Sequence, residues 1–187
     1  MLVKKDVNNL SKLNYAIFDF DGTIIDSEEG ITYCIIKTLS YYKIPLSKDR
    51  KIREIIGPPI TEVLEKIIPK NKKYMIPRLV EKFRFFYGKD GVHNATIYEK
   101  IPELLKLLKN KNVRMYVVTN KPLIYTRFLC KKFDIENFFN AIIGTQINGK
   151  SKSKDQMIKY LKDKYPKRIN NASIQRSKTL WWCLNCV

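Results

Sequence analysis

Two aspartates, Asp19 and Asp21, have the type and spacing that best fit chemistry in this chain. They end a short apolar run that begins at Tyr15, and this run predicts a buried strand. Residues two apart on a strand project from the same face, so we expect the two carboxylates side by side. Such a pair could hold a divalent cation, which prefers oxygen ligands. One carboxylate could also attack an electrophile while the other transfers a proton.

Gly22 and Thr23 follow the aspartates and predict a tight turn at the carboxyl end of the strand. Glycine lets the backbone turn sharply and approach a ligand closely, and Thr23 adds a hydroxyl and a backbone N–H. Ligands of open α/β sheets bind at the carboxyl ends of the strands. An isolated Asp-x-Asp is more often a solvated turn, so the flanking residues are what favour a functional site.

Strands and helices alternate in the second half of the chain and predict a parallel sheet with right-handed crossovers. The expected strands are residues 15–20, 113–119 and 138–143. We therefore expect an α/β fold with a Rossmann-like core, which is discontinuous and formed by residues 1–25 and 95–165.

Residues 26–94 predict an all-helical unit inserted into this core. Apolar residues recur at helical spacing from Ile31 to Tyr42 and from Ile76 to Tyr87, where Gly88 is expected to end the helix. A short helix is also expected near residues 52–56. This block is interpreted as a helical cap domain with its own apolar faces.

Thr119 and Asn120 end the second expected strand of the core and precede a helix expected from Pro122 to about Lys132. Strand ends of a parallel sheet share one side, so the Thr119 hydroxyl should lie near the aspartates. The helix N-terminus adds backbone N–H groups, which favour anions. The same residues could simply cap a helix.

The run from Phe18 to Thr23 after an apolar strand resembles the first motif of the haloacid dehalogenase-like superfamily, whose members are mostly phosphatases. Residues 24–27 resemble the subgroup with a helical cap, and stretches of the cap resemble its phosphoglycolate-phosphatase-like and nucleotidase-like branch. Thr119 resembles the second motif, a Ser or Thr that binds the transferring phosphoryl group. The resemblance covers about residues 15–165.

The resemblance implies magnesium-dependent hydrolysis of a small phosphomonoester, of the phosphoglycolate or nucleoside monophosphate class. Asp19 would attack phosphorus and form an aspartyl-phosphate, while Asp21 would protonate the leaving oxygen and then activate water. Mg²⁺ would be held by Asp19 and the Asp21 backbone carbonyl. The phosphate-binding residues implied are Gly22, Thr23, Thr119, Asn120 and a lysine.

The phosphate-binding lysine has several candidates, because Lys150, Lys152 and Lys154 lie close together in the sequence. Lys154 best resembles the family pattern, in which the lysine opens a helix with an apolar stripe, and Ser153 precedes it. Lys152 is the second choice. A solvated surface lysine is the ordinary alternative in a lysine-rich chain.

Gly57, Pro58 and Arg84 are the candidate substrate contacts of the cap. In the branch that the chain resembles, a cap loop closes over the site and contacts the leaving group, and closure would exclude water. His93, the only histidine, is expected in a hinge or turn near the end of the cap and receives no catalytic role.

Residues 166–187 do not match the resemblance. The family has a further strand that ends in an acidic motif, typically Gly-Asp-x-x-x-Asp, and the last acidic residue here is Asp163. We interpret this stretch as an atypical tail produced by truncation or a frameshift, which leaves the core incomplete. A natural tail of unknown role is the alternative. The expected consequence is a weak or inactive phosphatase.

Four cysteines are present. Cys34 and Cys130 lie among apolar residues of expected helices, which favours buried, reduced thiols. Cys183 and Cys186 have the spacing of a redox or zinc motif, but neither function is favoured, because one residue follows and one histidine exists.

The composition is strongly basic, with 36 Lys and Arg against 18 Asp and Glu and a formal net charge of +18. A non-catalytic protein that binds nucleic acid or another polyanion is therefore the alternative function. The lysines are spread over many expected helix faces, which argues against a nucleic-acid partner and favours a small phosphorylated metabolite. No apolar run fits a signal peptide or a membrane span, so we expect no membrane partner and a cytoplasmic location.

Overall fold

The computed structural model describes residues 14–46, 57–147 and 152–165. The chain divides into a helical unit, Ile25–Thr96, and a core unit, Met1–Ile24 with Ile97–Val187. The helix expected near residues 52–56, the candidate Lys150 and the stretch 166–187 with Cys183 and Cys186 lie outside the described residues.

The described chain contains strands, α-helices and short 3-10 helices. The strands are β1 (Tyr15–Phe18), β2 (Ile25–Asp26), β3 (Thr96–Ile97), β4 (Arg114–Pro122) and β5 (Ala141–Thr145). The α-helices are α1 (Glu28–Tyr41), α2 (Ile60–Ile67), α3 (Ile76–Lys89), α4 (Ile101–Asn110), α5 (Leu123–Lys132) and α6 (Lys154–Lys164). The 3-10 helices are Lys70–Met75, Gly91–Asn94 and Glu136–Phe138.

The core unit contains a parallel sheet in the order β1-β4-β5. Phe18 of β1 pairs with Val117 of β4, and Tyr116 of β4 pairs with Ala141 of β5. The strands read as continuous apolar runs because helices cover the faces of such sheets. The α/β fold with a parallel sheet is therefore confirmed.

Helix α6 packs on this sheet through Met157 and Leu161, which join Ile17 and Tyr116 in one buried cluster. Its start is fixed by a capping box, in which the Ser153 hydroxyl accepts the Gln156 N–H and the Gln156 side chain accepts the Ser153 N–H. A cap of this kind stabilises a helix by about 1 kcal/mol. The helix therefore begins at Lys154, as the sequence predicts.

Several element boundaries differ from the prediction. β1 ends at Phe18 rather than Phe20, because the Phe20 carbonyl accepts N–H groups of the following turn. β4 continues past Thr119 to Pro122, where an irregular register pairs Pro122 with Thr145.

The third predicted strand starts too early. Residues 136–138 form a 3-10 helix instead, and β5 begins at Ala141. The backbone explains this, since the Phe138 N–H donates to the Ile135 carbonyl in a turn rather than to a neighbouring strand. In the helical unit, α3 passes through Gly88 and ends at Lys89.

The helical unit is built on α1 and α3, which bury their apolar stripes. The buried side chains include Cys34, Ile35 and Leu39 of α1 and Leu79, Val80 and Phe83 of α3. Gly30 of α1 faces the 3-10 helix Gly91–Asn94 so closely that a Cβ atom at Gly30 would collide with the Gly91 carbonyl. This approach requires glycine at both positions, because a Cβ at Gly91 would also crowd the Cys34 sulfur.

Two short strands, β2 and β3, pair with each other. Each has two residues, which is too short for a periodic pattern, and neither was predicted. Apart from these strands, the described part of the helical unit is helical or lies in turns and connecting segments. In the described part of the chain, no helix has both the length and the apolar character needed to cross a membrane.

Cys34 and Cys130 are free and buried, as predicted. Desolvation by burial raises the pKa of the Cys34 thiol to about 11 and that of the Cys130 thiol to about 12. Each thiol therefore stays protonated near neutral pH. One lies in the helical unit and the other in the core unit.

These thiols make the folding of each unit measurable. With iodoacetamide near neutral pH, we expect Cys34 and Cys130 to react at least about 100-fold more slowly in the folded protein than in denaturant, because the thiolate is the reactive form. Peptide mass mapping separates them from Cys183 and Cys186. Fast modification of Cys34 in the native protein would contradict the described packing of the helical unit.

Candidate active site

Asp19 follows β1 directly, and its carboxylate is bound on two sides. The Oδ1 atom accepts the Phe20 N–H at 2.8 Å, and Oδ2 accepts a hydrogen bond from Lys154 Nζ. Both side chains are largely buried, at 21% exposure for Asp19 and 11% for Lys154. The fold thus joins the predicted nucleophile to the predicted lysine across 135 positions of sequence.

Lys152, the second choice, has different surroundings. It is exposed, and its Nζ lies 5.5 Å from the centroid of the Tyr160 ring. Of the two candidate lysines, Lys154 is therefore the one that contacts Asp19.

Asp21 forms an ion pair with a lysine that was not among the predicted site residues. Lys121 Nζ lies 2.9 Å from Asp21 Oδ1. The Lys121 side chain is only 3% exposed, and that of Asp21 is 16% exposed. A buried ammonium group needs a carboxylate partner, since its desolvation is otherwise costly.

Thr119 is buried at the end of β4, beside this pair. Its Oγ1 accepts the Lys121 N–H at 3.1 Å. The next carbonyl, that of Asn120, accepts the Thr145 hydroxyl at 3.0 Å. The end of β4 is thereby tied to β5, which holds Thr119 and Lys121 in fixed positions.

The turn after β1 forms as predicted. Gly22 has φ +75°, which glycine adopts without strain. The N–H groups of Thr23 and Ile24 donate to the Phe20 carbonyl at 3.3 and 2.9 Å. Because the Thr23 N–H is used in the turn, the predicted role of Thr23 in phosphate binding depends on its hydroxyl.

Lys121 was missed because the predicted strand ended too early. A residue two positions after Thr119 shares its face of the strand only if β4 continues, and the structure extends β4 to Pro122. The signal was present in the sequence as a lysine at i+2 from a strand-end threonine. The Pro122 that follows argued for a helix start instead.

Gly144 of β5 is a second residue that sequence reasoning missed. A Cβ atom there would lie 2.7 Å from the Lys121 carbonyl oxygen and 3.0 Å from the Leu123 backbone. The end of β4 can reach its position only because residue 144 has no side chain.

The predicted substrate contacts of the cap lie in the helical unit. Gly57 has φ +124° and precedes α2 together with Pro58, while Arg84 lies on α3. Their contact with a substrate remains a prediction. His93 lies in the 3-10 helix Gly91–Asn94, which ends the predicted cap.

The residues of the site fit Mg²⁺ by donor chemistry. Mg²⁺ is commonly held by one or two carboxylates together with waters and phosphate oxygens, and the Asp19 carboxylate and Asp21 carbonyl are donors of this type. Among residues 14–46, 57–147 and 152–165, no three His, Cys, Asp or Glu side chains are grouped to hold one metal ion.

The fold and the site define a class of parallel α/β proteins with two aspartates after the first strand and a lysine returning from a later helix. The sequence profile of the haloacid dehalogenase-like hydrolases matches residues 16–175. The chain belongs to this family.

Two curated relatives are a nucleotidase and a phosphatase. A 5′-nucleotidase of Pseudomonas aeruginosa is 28% identical over 147 residues, which cover 79% of this chain and 66% of the relative. A phosphoglycolate phosphatase of Aquifex aeolicus is 29% identical over 136 residues, 73% of this chain and 62% of the relative. The chain therefore spans less than two thirds of the length of these proteins.

Solved structures agree on the fold. A haloacid dehalogenase-like family hydrolase from Streptococcus pneumoniae superposes with a TM-score of 0.72 at 25% identity, covering 83% of this chain and 71% of that one.

Another relative is named for a different activity. This relative is the tyrosine-protein kinase PtkA of Mycobacterium tuberculosis, which is 29% identical over 138 residues that cover 74% of this chain and 46% of the relative. The resemblance to the family and its phosphatase branch is confirmed.

A substitution at Gly144 tests whether β5 packs as closely on the end of β4 as described. Gly144→Ala should lower the stability of the core unit by about 1–3 kcal/mol, because the added methyl group meets backbone that cannot move aside easily. Thermal unfolding measures the loss. Gln146→Ala, an exposed position just after the same strand, is the matched control and should leave the melting temperature nearly unchanged. Equal melting temperatures for the two variants would show that β4 and β5 are not packed as described.

Proposed function

We propose that this chain is a phosphatase that hydrolyses a small phosphomonoester through an aspartyl-phosphate. The observation that carries the proposal is the contact of Asp19 with Lys154, beside the Asp21–Lys121 pair. A carboxylate paired with a buried ammonium is ready to receive a dianionic phosphate, because the lysine can neutralise the charge that the ligand adds.

In the first step, an Asp19 oxygen attacks phosphorus and the bond from phosphorus to the ester oxygen breaks. Asp21 enters this step protonated, with its Oδ1 still accepting from Lys121, and gives its proton to that oxygen, so the alcohol leaves neutral. Lys154 and Thr119 bind phosphoryl oxygens and hold the phosphorus in line with Asp19. Such catalysis is largely positioning and charge stabilisation.

In the second step, water attacks the phosphorus of the aspartyl-phosphate. Asp21, now a carboxylate, takes a proton from this water, and the bond between phosphorus and Asp19 breaks. Inorganic phosphate leaves and both aspartates return to their starting states. Asp21 therefore acts first as acid and then as base.

Asp19 and the Asp21 carbonyl would hold Mg²⁺, which supplies positive charge for the phosphoryl oxygens when bound. With few protein ligands among the described residues, we infer weak magnesium binding and weak or absent turnover for this chain. Gly22, Thr23 and Asn120 complete the proposed phosphate site. Gly57, Pro58 and Arg84 would contact the leaving group.

The substrate class that we propose is phosphoglycolate or a nucleoside monophosphate, met in the cytoplasm. The names of the two phosphatase relatives support both choices. The kinase name of PtkA makes transfer from ATP to tyrosine a rival reaction. Release of inorganic phosphate from a monoester without ATP distinguishes hydrolysis from that rival.

The alternative from another class is a non-catalytic protein that binds a polyanion, suggested by the net charge of +18. The described site opposes it in part, because Lys121 and Lys154 are buried against carboxylates rather than displayed on a basic surface. Steeply salt-dependent binding to random DNA would favour the alternative.

The nucleophile is tested with p-nitrophenyl phosphate. Asp19→Asn should abolish magnesium-dependent turnover while leaving the fold nearly intact, because the two side chains are close in size. The melting temperature should fall somewhat, since Lys154 loses its carboxylate partner. Circular dichroism and thermal unfolding check the fold. Wild-type turnover in this variant would remove Asp19 from the mechanism.

The two candidate lysines form a matched pair for the same assay. Lys154→Met should lower kcat/KM by about 100-fold or more, as expected when a charged group at the reacting phosphoryl is lost. Lys152→Met should stay within about twofold of the wild type, because Lys152 is exposed and lies over Tyr160. Equal losses in the two variants would exclude the specific role of Lys154.

Magnesium affinity is measured by calorimetric titration. We expect binding on the order of millimolar, since Mg²⁺ gives up its waters reluctantly and finds few protein oxygens here. Asp19→Asn should weaken it further, while Asp155→Asn, an exposed acid of α6, should not change it. Submicromolar binding would show that another oxygen donor completes the site.

A further inference from the structure

Lys121 connects the two strand ends of the site. Its backbone N–H donates to the Thr119 hydroxyl at 3.1 Å, and its Nζ lies 2.9 Å from Asp21 Oδ1. The side chain is 3% exposed, which is rare for lysine. A single residue thus fixes the acid of the proposed mechanism relative to the phosphate-binding threonine.

The burial of the Lys121 ammonium group has a desolvation cost, which its ion pair with Asp21 offsets. A surface lysine would retain several rotamers and its water shell, whereas this lysine of β4 is 3% exposed and is held against the Asp21 carboxylate. Gly144 and Thr145 of β5 hold the backbone around it. The position is therefore set by tertiary structure and not by the lysine alone.

We propose that Lys121 is a positioning residue for Asp21. By holding Oδ1, it fixes the direction of the Asp21 carboxyl group, so that the proton is delivered to the leaving oxygen and not to another phosphoryl oxygen. This inference deepens the proposed function and rests on it. In this proposal Lys121 supports proton transfer by orienting Asp21, whereas Lys154 neutralises charge at Asp19.

The leaving group distinguishes these two roles. Phenyl phosphate and p-nitrophenyl phosphate have nearly the same shape, but p-nitrophenolate leaves readily without a proton and phenolate does so less easily. Lys121→Met should therefore lower kcat/KM for phenyl phosphate at least tenfold more than for p-nitrophenyl phosphate. Because kcat/KM reports the steps up to phosphoryl transfer, slow hydrolysis of the aspartyl-phosphate does not mask the effect.

The controls separate positioning from other roles. Asp21→Asn should show the same selective loss, and Lys121→Met combined with it should add little. Lys106→Met, an exposed lysine of α4, should behave as the wild type. An equal loss for both substrates in Lys121→Met would overturn the proposal, because a lysine that only binds phosphate or only supports the fold affects both substrates alike.

A double-mutant cycle measured by thermal unfolding tests the Lys121–Asp21 pair without any enzymatic turnover. Lys121→Met and Asp21→Asn should each shift the melting temperature, and the double variant should be no less stable than Lys121→Met alone, because the two groups act as one unit. Additive shifts would overturn the pairing. If the wild-type chain hydrolyses neither aryl phosphate, as the inferred weak magnesium binding allows, the two substrates cannot be compared, and this cycle decides whether Lys121 holds Asp21.

Discussion

Parallel pairing of β1 with β4 is the constraint on which the candidate site depends. The register that places Phe18 beside Val117 brings the residues after each strand to the same end of the sheet. Asp21 and Lys121 meet there although they are 100 positions apart. A slip of one residue would turn alternate side chains to the opposite face and separate the pair.

The second support of the site is the beginning of α6. A lysine placed at random along this helix would not reach Asp19, so the capping box at Ser153 and the anchoring of Met157 and Leu161 on the sheet matter together. The capping box sets the residue at which α6 starts, and the buried side chains set the face of α6 that packs on β1 and β4. Burial of such side chains contributes about 1.5–3 kcal/mol each. Ordinary packing energy therefore positions Lys154 beside Asp19.

The sequence predicts the part of the site that is written in local patterns. Asp19 and Thr119 follow apolar runs and Lys154 follows a capping serine, so the parallel core and three of its chemical positions could be inferred. Lys121 was missed, because its position on the same face as Thr119 depends on how far β4 continues, and the strand extends to Pro122, which pairs with Thr145.

Gly144 was also missed, because its requirement for glycine depends on tertiary structure. Nothing near it in the sequence marks it as special, and its φ is not in the left-handed region. What requires glycine is the backbone of Lys121 at the end of β4 and of Leu123 at the start of α5, which approaches residue 144 closely. Close approach between distant segments has no local signature, so the smallest residues of a site are the hardest to predict.

The arrangement of charge at the site differs from the charge of the whole chain. The net charge of +18 is a property of many lysines, most of which interact only weakly with one another through water. Lys121 and Lys154 are instead buried, and each is matched to one aspartate. In the proposed mechanism, two separate pairs would allow two separate tasks, because a phosphate that draws Lys154 from Asp19 would leave Asp21 held by Lys121. A single lysine shared by both aspartates could not neutralise the phosphate and orient the proposed acid at the same time.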